Sequence, residues 1–324
     1  MITIGKALGI SNCASKEGVF NVLAFDHRNN LRKQLNPSQP ESITYEMLTE
    51  LKAQIVQSLI DSSSALLLDP EYGLNHEVIK SIISCKSGII LAIEETGYSG
   101  ISTERVSRVL ENWSVEKAKR IGANAVKLLI YYHPLSKTAA VQEETVRLIS
   151  EQCVQYDIPL FLEILTHSID PQKKQLSSDE KKQTIIAAVE KFNSMPIDLY
   201  KLEFPLNFNE ELSESEWETA CKAVSNAVRI PWLLLSAGVD FETFVRQSQI
   251  ACRSGASGVM AGRAIWKEAL ELEGGEKDEF LKHTAPARMQ RIAQVCEQTA
   301  KPWTDYFRLP ELGENWYGRY KGFI

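Results

Sequence analysis

The sequence predicts a (β/α)8 barrel, an α/β fold in which eight parallel strands close on themselves inside a ring of helices. Eight short apolar, β-branched runs recur along its 324 residues, and most are separated by longer stretches with helical spacing. A third observation disfavours the main competitor. No G-x-G-x-x-G follows the first run, so a doubly wound dinucleotide-binding sheet lacks its fingerprint.

In order, the runs are NVLAFDHR (21–28), SALLLDPEYG (64–73), GIILAIEETG (88–97) and NAVKLLIYY (124–132), then IPLFLEILTH (158–167), DLYKLEFP (198–205), IPWLLLSAGV (230–239) and ASGVMAGRAIW (256–266). Near-continuous apolar runs suit strands buried on both faces, as in a parallel sheet. Several are entered through Gly or Pro, in IGANAV, YDIP, VRIP and RSGASG. Between the first two runs, TYEMLTELKAQIVQSLI sets Met47, Leu48, Leu51, Ile55 and Leu59 on one helical stripe, and residues 140–156, 179–194, 214–228 and 241–254 behave alike. Residues 1–20 are expected to form an N-terminal cap, 21–302 the barrel and 303–324 an extension. The extension carries Trp303, Tyr306, Phe307, Trp316, Tyr317, Tyr320 and Phe323. A segment that apolar must dock on its own barrel or on a partner subunit.

Hydrophobic residues at 44% and charged residues at 24% are ordinary for a soluble globular protein. A net charge of −6 disfavours nucleic acid as a partner, although a local group of cations can still hold a small anion. Six scattered cysteines without a C-x-x-C pair read as reduced thiols. Neither a signal pattern nor a bilayer-length apolar run is present, so a cytoplasmic protein with no membrane partner is expected, and the acidic, aromatic-tailed chain suits a homo-oligomer.

Active sites of such barrels lie at the C-terminal strand ends. Here those ends carry Asp26, His27 and Arg28, Asp69 and Glu71, Glu94 and Glu95, Lys127, Glu163, Lys201 and Glu203, Ser236, and Arg263. Lys201 stands out because it interrupts an apolar strand. Leu199, Lys201 and Glu203 share one strand face, with Tyr200, Leu202 and Phe204 on the other. A buried Lys–Glu ion pair is one explanation. The other is chemical: a lysine kept near a second cation, Lys127, yields a neutral amine that attacks a ketone, with Glu163 on the next strand as proton shuttle. Gly238 in LSAGV and Gly262 in MAGRAIW, with Ser236 and Arg263, lie where such barrels often hold a phosphate, though either triplet could be an ordinary turn.

Together LAFDHR, LLLDPEYG, EETGY, VKLLIYY, FLEIL, YKLEFP, LSAGV and GRAIW resemble the class I tagatose 1,6-bisphosphate aldolase family, in order from about residue 20 to about residue 304. The class I aldolases for 6-deoxy-6-sulfofructose 1-phosphate are similar too, sharing DLYK-E-P and GASG--AGRA-W. The resemblance implies a barrel that cleaves a ketohexose 1-phosphate without metal or cofactor, taking a sugar phosphate as its small-molecule partner. It implies Lys201 as Schiff-base residue, Glu163 as acid/base, Asp26 and Lys127 as further active-site residues, and the LSAGV and GR segments at the phosphate. His27 stands where the family usually has glutamine, beside the aldehyde half of the substrate, and Glu95 stands for a lysine.

Two rival functions remain open at this stage. His27, His133 and His167 fall near strand ends and could hold zinc, although no H-x-H or H-E-x-x-H spacing occurs. A non-catalytic barrel that binds a sugar phosphate is the other.

Overall fold

The computed structural model describes residues 2–207 and 209–320. Its core is a closed parallel barrel of eight strands in sequential order: β1 Phe20–Phe25, β2 Ala65–Leu68, β3 Gly88–Ala92, β4 Ala125–Tyr132, β5 Leu160–Thr166, β6 Leu199–Leu202, β7 Trp232–Leu235 and β8 Gly258–Ala261. All eight runs hold a strand, but most strands are shorter than the apolar text suggests. The last run is corrected most: β8 stops at Ala261, and Arg263–Trp266 coils into a helical turn.

Alternation along the strands separates two layers. Val22, Ala24, Leu67, Ile90, Ala125, Phe161, Leu199, Leu233 and Met260 fill the barrel interior. Leu23, Phe25, Leu66, Leu68, Tyr200 and Leu202 face the helices. Each large apolar side chain fully buried there contributes roughly 1.5–3 kcal/mol, which offsets the cost of placing charges at the same depth. The same phase carries Lys127, Glu163 and Lys201 inward, and the register sets Glu163 directly opposite Lys201.

The helices are α1 Ile4–Cys13, α2 Asn29–Leu35, α3 Tyr45–Leu59, α4 His76–Cys85, α5 Val115–Ile121, α6 Ala139–Gln155, α7 Ser178–Phe192, α8 Glu214–Ala227, α9 Phe241–Arg253, α10 Arg263–Trp266, α11 Gly274–Glu279 and α12 Ala285–Thr299. Ser177 and Ser213 start α7 and α8 with capping boxes to Glu180 and Glu216, which satisfy otherwise orphaned N–H groups. In α3 the expected stripe is corrected at two places. Met47 is half exposed, whereas Lys52 is completely buried and donates to Asp69 Oδ2 at 2.6 Å and to the Phe25 carbonyl at 2.8 Å.

The N-terminal segment closes the bottom of the barrel. Ile10 and Cys13 of α1 pack under the interior residues, joined by Trp303. The extension docks on its own barrel: the Trp303 N–H donates to the Gly18 carbonyl, the Tyr306 hydroxyl to the Gly255 carbonyl, and Tyr320 meets Asp157 and Gly5. Phe323 lies outside the described residues. At the opposite end, the β3–α5 connection forms a small flap through antiparallel bridges Glu94–Val109 and Ser99–Val106.

Candidate active site

The C-terminal mouth opens into a cavity of about 290 Å3. Asp26, His27 and Arg28 reach it from the end of β1, Lys127 from β4, Glu163 from β5 and Lys201 from β6. Ser236, Gly262 and Arg263 line it from the loops after β7 and β8.

At its floor is a chain of charges. Lys201 Nζ donates to Glu163 Oε2 at 2.9 Å. Lys127 Nζ lies 2.8 Å from the same oxygen, 2.8 Å from Asp26 Oδ2 and 2.6 Å from Glu94 Oε1. Lys127, Glu163 and Lys201 are each 5% exposed or less. Burial opposes ionisation of the carboxyls, yet the ammonium groups of Lys127 and then Lys201 outweigh it. Asp26 is held well below the usual carboxylate range and Glu163 is lowered. Burial likewise works against the Lys127 charge, but Asp26, Glu163 and Glu94 raise its pKa well above the ordinary value. Lys127 is therefore a permanent cation. Glu163 is an ionised base within hydrogen-bond reach of a second amine.

Glu94, expected only as one of the polar strand ends and given no role there, belongs to this set. Its second oxygen accepts from the Leu129 N–H at 3.1 Å, which pins it to β4. Strand alternation carries the signal: of the adjacent pair Glu94 and Glu95, Glu94 is buried at the floor and Glu95 is half-buried at the mouth.

Of the phosphate candidates Ser236, Gly262 and Arg263 line the cavity, while Gly238 stands behind them against Arg263 and is not a lining residue. Ala237 and Gly238 both adopt positive φ, 48° and 79°. A Cβ at Gly238 would sit 3.1 Å from Cζ of Arg263, so a side chain there would crowd the guanidinium. Ser236 Oγ accepts from the Gly262 N–H at 3.2 Å and ties the two loops together. Among the described residues no carboxylate comes within ion-pair distance of Arg263, although Asp26 and Glu163 act on it from further away. Arg28 differs. Its guanidinium donates to Glu71 Oε2 at 2.6 Å and to the Glu94 carbonyl at 2.5 Å, which braces the rim.

The three expected histidines do not meet. His27 packs edge-on against Trp266, and His133 and His167 face each other with ring centroids 6.3 Å apart. Among the described residues no group of three His, Cys, Asp or Glu side chains could hold a metal ion. Burial drives His27 down to about 3 despite neighbouring Asp26, so its ring is neutral at ordinary pH. No helix of the described residues is long and apolar enough to cross a membrane.

Comparison with known proteins places the chain in a family. A tagatose 1,6-diphosphate aldolase of Lactococcus lactis subsp. lactis is 34% identical over 328 residues, covering 94% of this chain and 99% of that protein. One from Streptococcus pneumoniae strain R6 is also 34% identical, with 94% and 99% covered. An archaeal fructose 1,6-bisphosphate aldolase shares the fold, with a TM-score of 0.58 at 19% identity over 90% of this chain and 98% of that one. A profile described as DeoC/LacD family aldolase matches residues 20–268. The chain therefore belongs to the DeoC/LacD family of aldolases and is a lyase.

Proposed function

We propose that the chain is a class I aldolase that cleaves tagatose 1,6-bisphosphate to dihydroxyacetone phosphate and glyceraldehyde 3-phosphate through a Schiff base on Lys201. The observation that carries this reading is one carboxylate oxygen, Glu163 Oε2, lying between two buried ammonium groups and open to a cavity. The substrate comes from the relatives' names, which cover nearly the whole chain.

Glu163 takes a proton from the Lys201 ammonium across 2.9 Å, and the neutral amine adds to the C2 carbonyl. The carbonyl oxygen, protonated in the process, leaves as water to give an iminium ion. Removal of the C4 hydroxyl proton breaks the C3–C4 bond, and its electron pair moves into the iminium as an enamine. Glyceraldehyde 3-phosphate departs. A proton adds at C3, and water hydrolyses the new iminium to dihydroxyacetone phosphate and free Lys201. Lys127 stays charged throughout, which keeps Glu163 and Asp26 ionised between proton transfers. Arg263, with the turn at Gly238, receives the C1 phosphate.

No step requires a metal or cofactor. The six thiols are free, in keeping with a cytoplasmic enzyme. A homo-oligomer remains part of the proposal, to be read by sedimentation. The substrate test is incubation of the full chain with tagatose 1,6-bisphosphate, fructose 1,6-bisphosphate and 6-deoxy-6-sulfofructose 1-phosphate in chelator. Tagatose 1,6-bisphosphate turned over fastest, with equimolar triose phosphates, is expected. Preference for either other sugar would overturn the substrate, and loss of activity in chelator would overturn the chemistry.

A further inference from the structure

The barrel wall holds a buried lysine pair that the proposed chemistry leaves unused. Lys52, on α3, is completely buried, as is its partner Asp69 just past the end of β2. Neither lines the active-site cavity. Two charges taken out of water at that depth add little stability over an apolar pair, so what they touch decides their use.

Lys52 reaches the strand that presents Asp26. Its Nζ donates to the Phe25 carbonyl at 2.8 Å and to Asp69 Oδ2 at 2.6 Å, and it lies 4.6 Å from the centroid of the Phe25 ring. The Phe25 carbonyl belongs to the planar peptide that joins Phe25 to Asp26. Fixing that oxygen therefore fixes the plane from which Asp26 departs. Trp266 supports the same stretch: its ring packs 4.5 Å from that of Phe25, and its N–H donates to the Ala24 carbonyl at 3.4 Å.

Asp69 extends the hold to the rim. Its Oδ1 accepts from the Glu71 N–H at 3.0 Å and the Tyr72 N–H at 2.8 Å, which closes the turn after β2. Glu71 in that turn receives Arg28, and Arg28 donates in turn to the Glu94 carbonyl. Both branches end at partners of Lys127. One runs through Phe25 to Asp26, the other through Asp69, Glu71 and Arg28 to Glu94.

We propose that Lys52 is a positioning residue of the active site, which from outside the strand ring sets Asp26 and Glu94 around Lys127. The proposal rests on the aldolase reading above for the reaction it serves. A misplacement of about 1 Å in such a constellation can lower a rate roughly a hundredfold.

The test separates the charge of Lys52 from its contact. Lys52→Met strands the Asp69 carboxylate and should lower both the urea midpoint and kcat. Lys52→Met combined with Asp69→Asn leaves neither charge of the pair, and the amide oxygen still accepts from Glu71 and Tyr72, so most of the stability should return. The Phe25 carbonyl still lacks its donor. In this double variant kcat should stay roughly tenfold to a hundredfold below wild type, with KM within about threefold. Asp69→Asn alone keeps the Phe25 contact, and its kcat should exceed that of the double variant. Recovery of kcat together with stability in the double variant would overturn the proposal and leave Lys52 and Asp69 as an ion pair of the fold alone.

A crystal structure of the double variant separates this claim from the function itself. Should the wild type cleave none of the three sugars, the aldolase reading fails and the placement is read directly. Asp26 Oδ2 displaced out of hydrogen-bond reach of Lys127 would support the proposal. Asp26 and Glu94 unmoved against Lys127 would overturn it.

Discussion

Strand β6 joins two buried ion pairs, one at each end of the barrel, and they behave oppositely. At the bottom, Asp198 just before the strand accepts from Lys6 Nζ at 2.7 Å and from the Leu160 N–H at 2.8 Å. Both side chains are 8% exposed, and neither lines the active-site cavity. At the top, three residues along, Lys201 pairs with Glu163 against the cavity. Burial raises the pKa of Asp198 despite its lysine, whereas Glu163 is lowered against burial. The difference is the number of cations. One ammonium does not outweigh desolvation; two do. A buried lysine becomes a reagent when its carboxylate stays ionised by other means and an empty space adjoins its nitrogen.

Breaking the upper pair is expected to have the largest effect. Lys201→Met should lower kcat by roughly four orders of magnitude or more while thermal unfolding shows a folded protein. Lys127→Met comes next. It leaves Asp26, Glu94 and Glu163 short of countercharge at depth, so stability should fall by roughly 3–5 kcal/mol in urea unfolding, and kcat should fall as well. A stability loss without a kcat loss would reduce Lys127 to a structural role.

At the lower pair the expectation inverts. Lys6→Met should cost a similar roughly 3–5 kcal/mol, because it strands a buried carboxylate, yet kcat of the folded fraction should stay at the wild-type value. Lys6→Met with Asp198→Asn should regain much of that stability, since the amide oxygen still accepts from the Leu160 N–H.

The pH dependence sharpens the contrast with a smaller effect. The folded-state pKa of Asp26 is depressed, so its contribution to stability is present above the unfolded value of about 3.9 and is lost as pH falls through the folded one. That of Asp198 is raised, so its contribution is greatest below about 3.9 and declines as pH rises through the folded value. Urea unfolding of Asp26→Asn and Asp198→Asn from acid to neutral pH should give stability differences from wild type with opposite slopes. Parallel slopes would contradict the comparison. Smallest of all is His27→Gln. The wild-type ring, lowered to about 3, is already neutral, so the shape of the kcat/KM profile between roughly pH 5 and 8 should be unchanged.

Much of this was legible in the chain because both sources of order are periodic. Eight apolar runs gave eight strands, and alternation put Lys201 on the same face as Leu199, which the closed barrel turns inward. What was missed depends on distance in sequence. Lys52 hides in an apolar helical stripe, and its partner Asp69 is contributed by the end of another strand. Arg28 sits at the expected strand end, but its engagement with Glu71 and the Glu94 carbonyl is a tertiary fact. The run at 256–266 overshot its strand because an apolar helical turn reads like an apolar strand when both are short.

The central claim is that the Lys201 amine forms a covalent bond with the substrate's ketone. The most direct measurement is borohydride trapping with dihydroxyacetone phosphate in the presence of chelator, followed by peptide mass mapping. A reduced adduct on the peptide carrying Lys201, absent in Lys201→Met, is the expected result. Sustained turnover with no adduct, or an adduct on Lys127 instead, would contradict it.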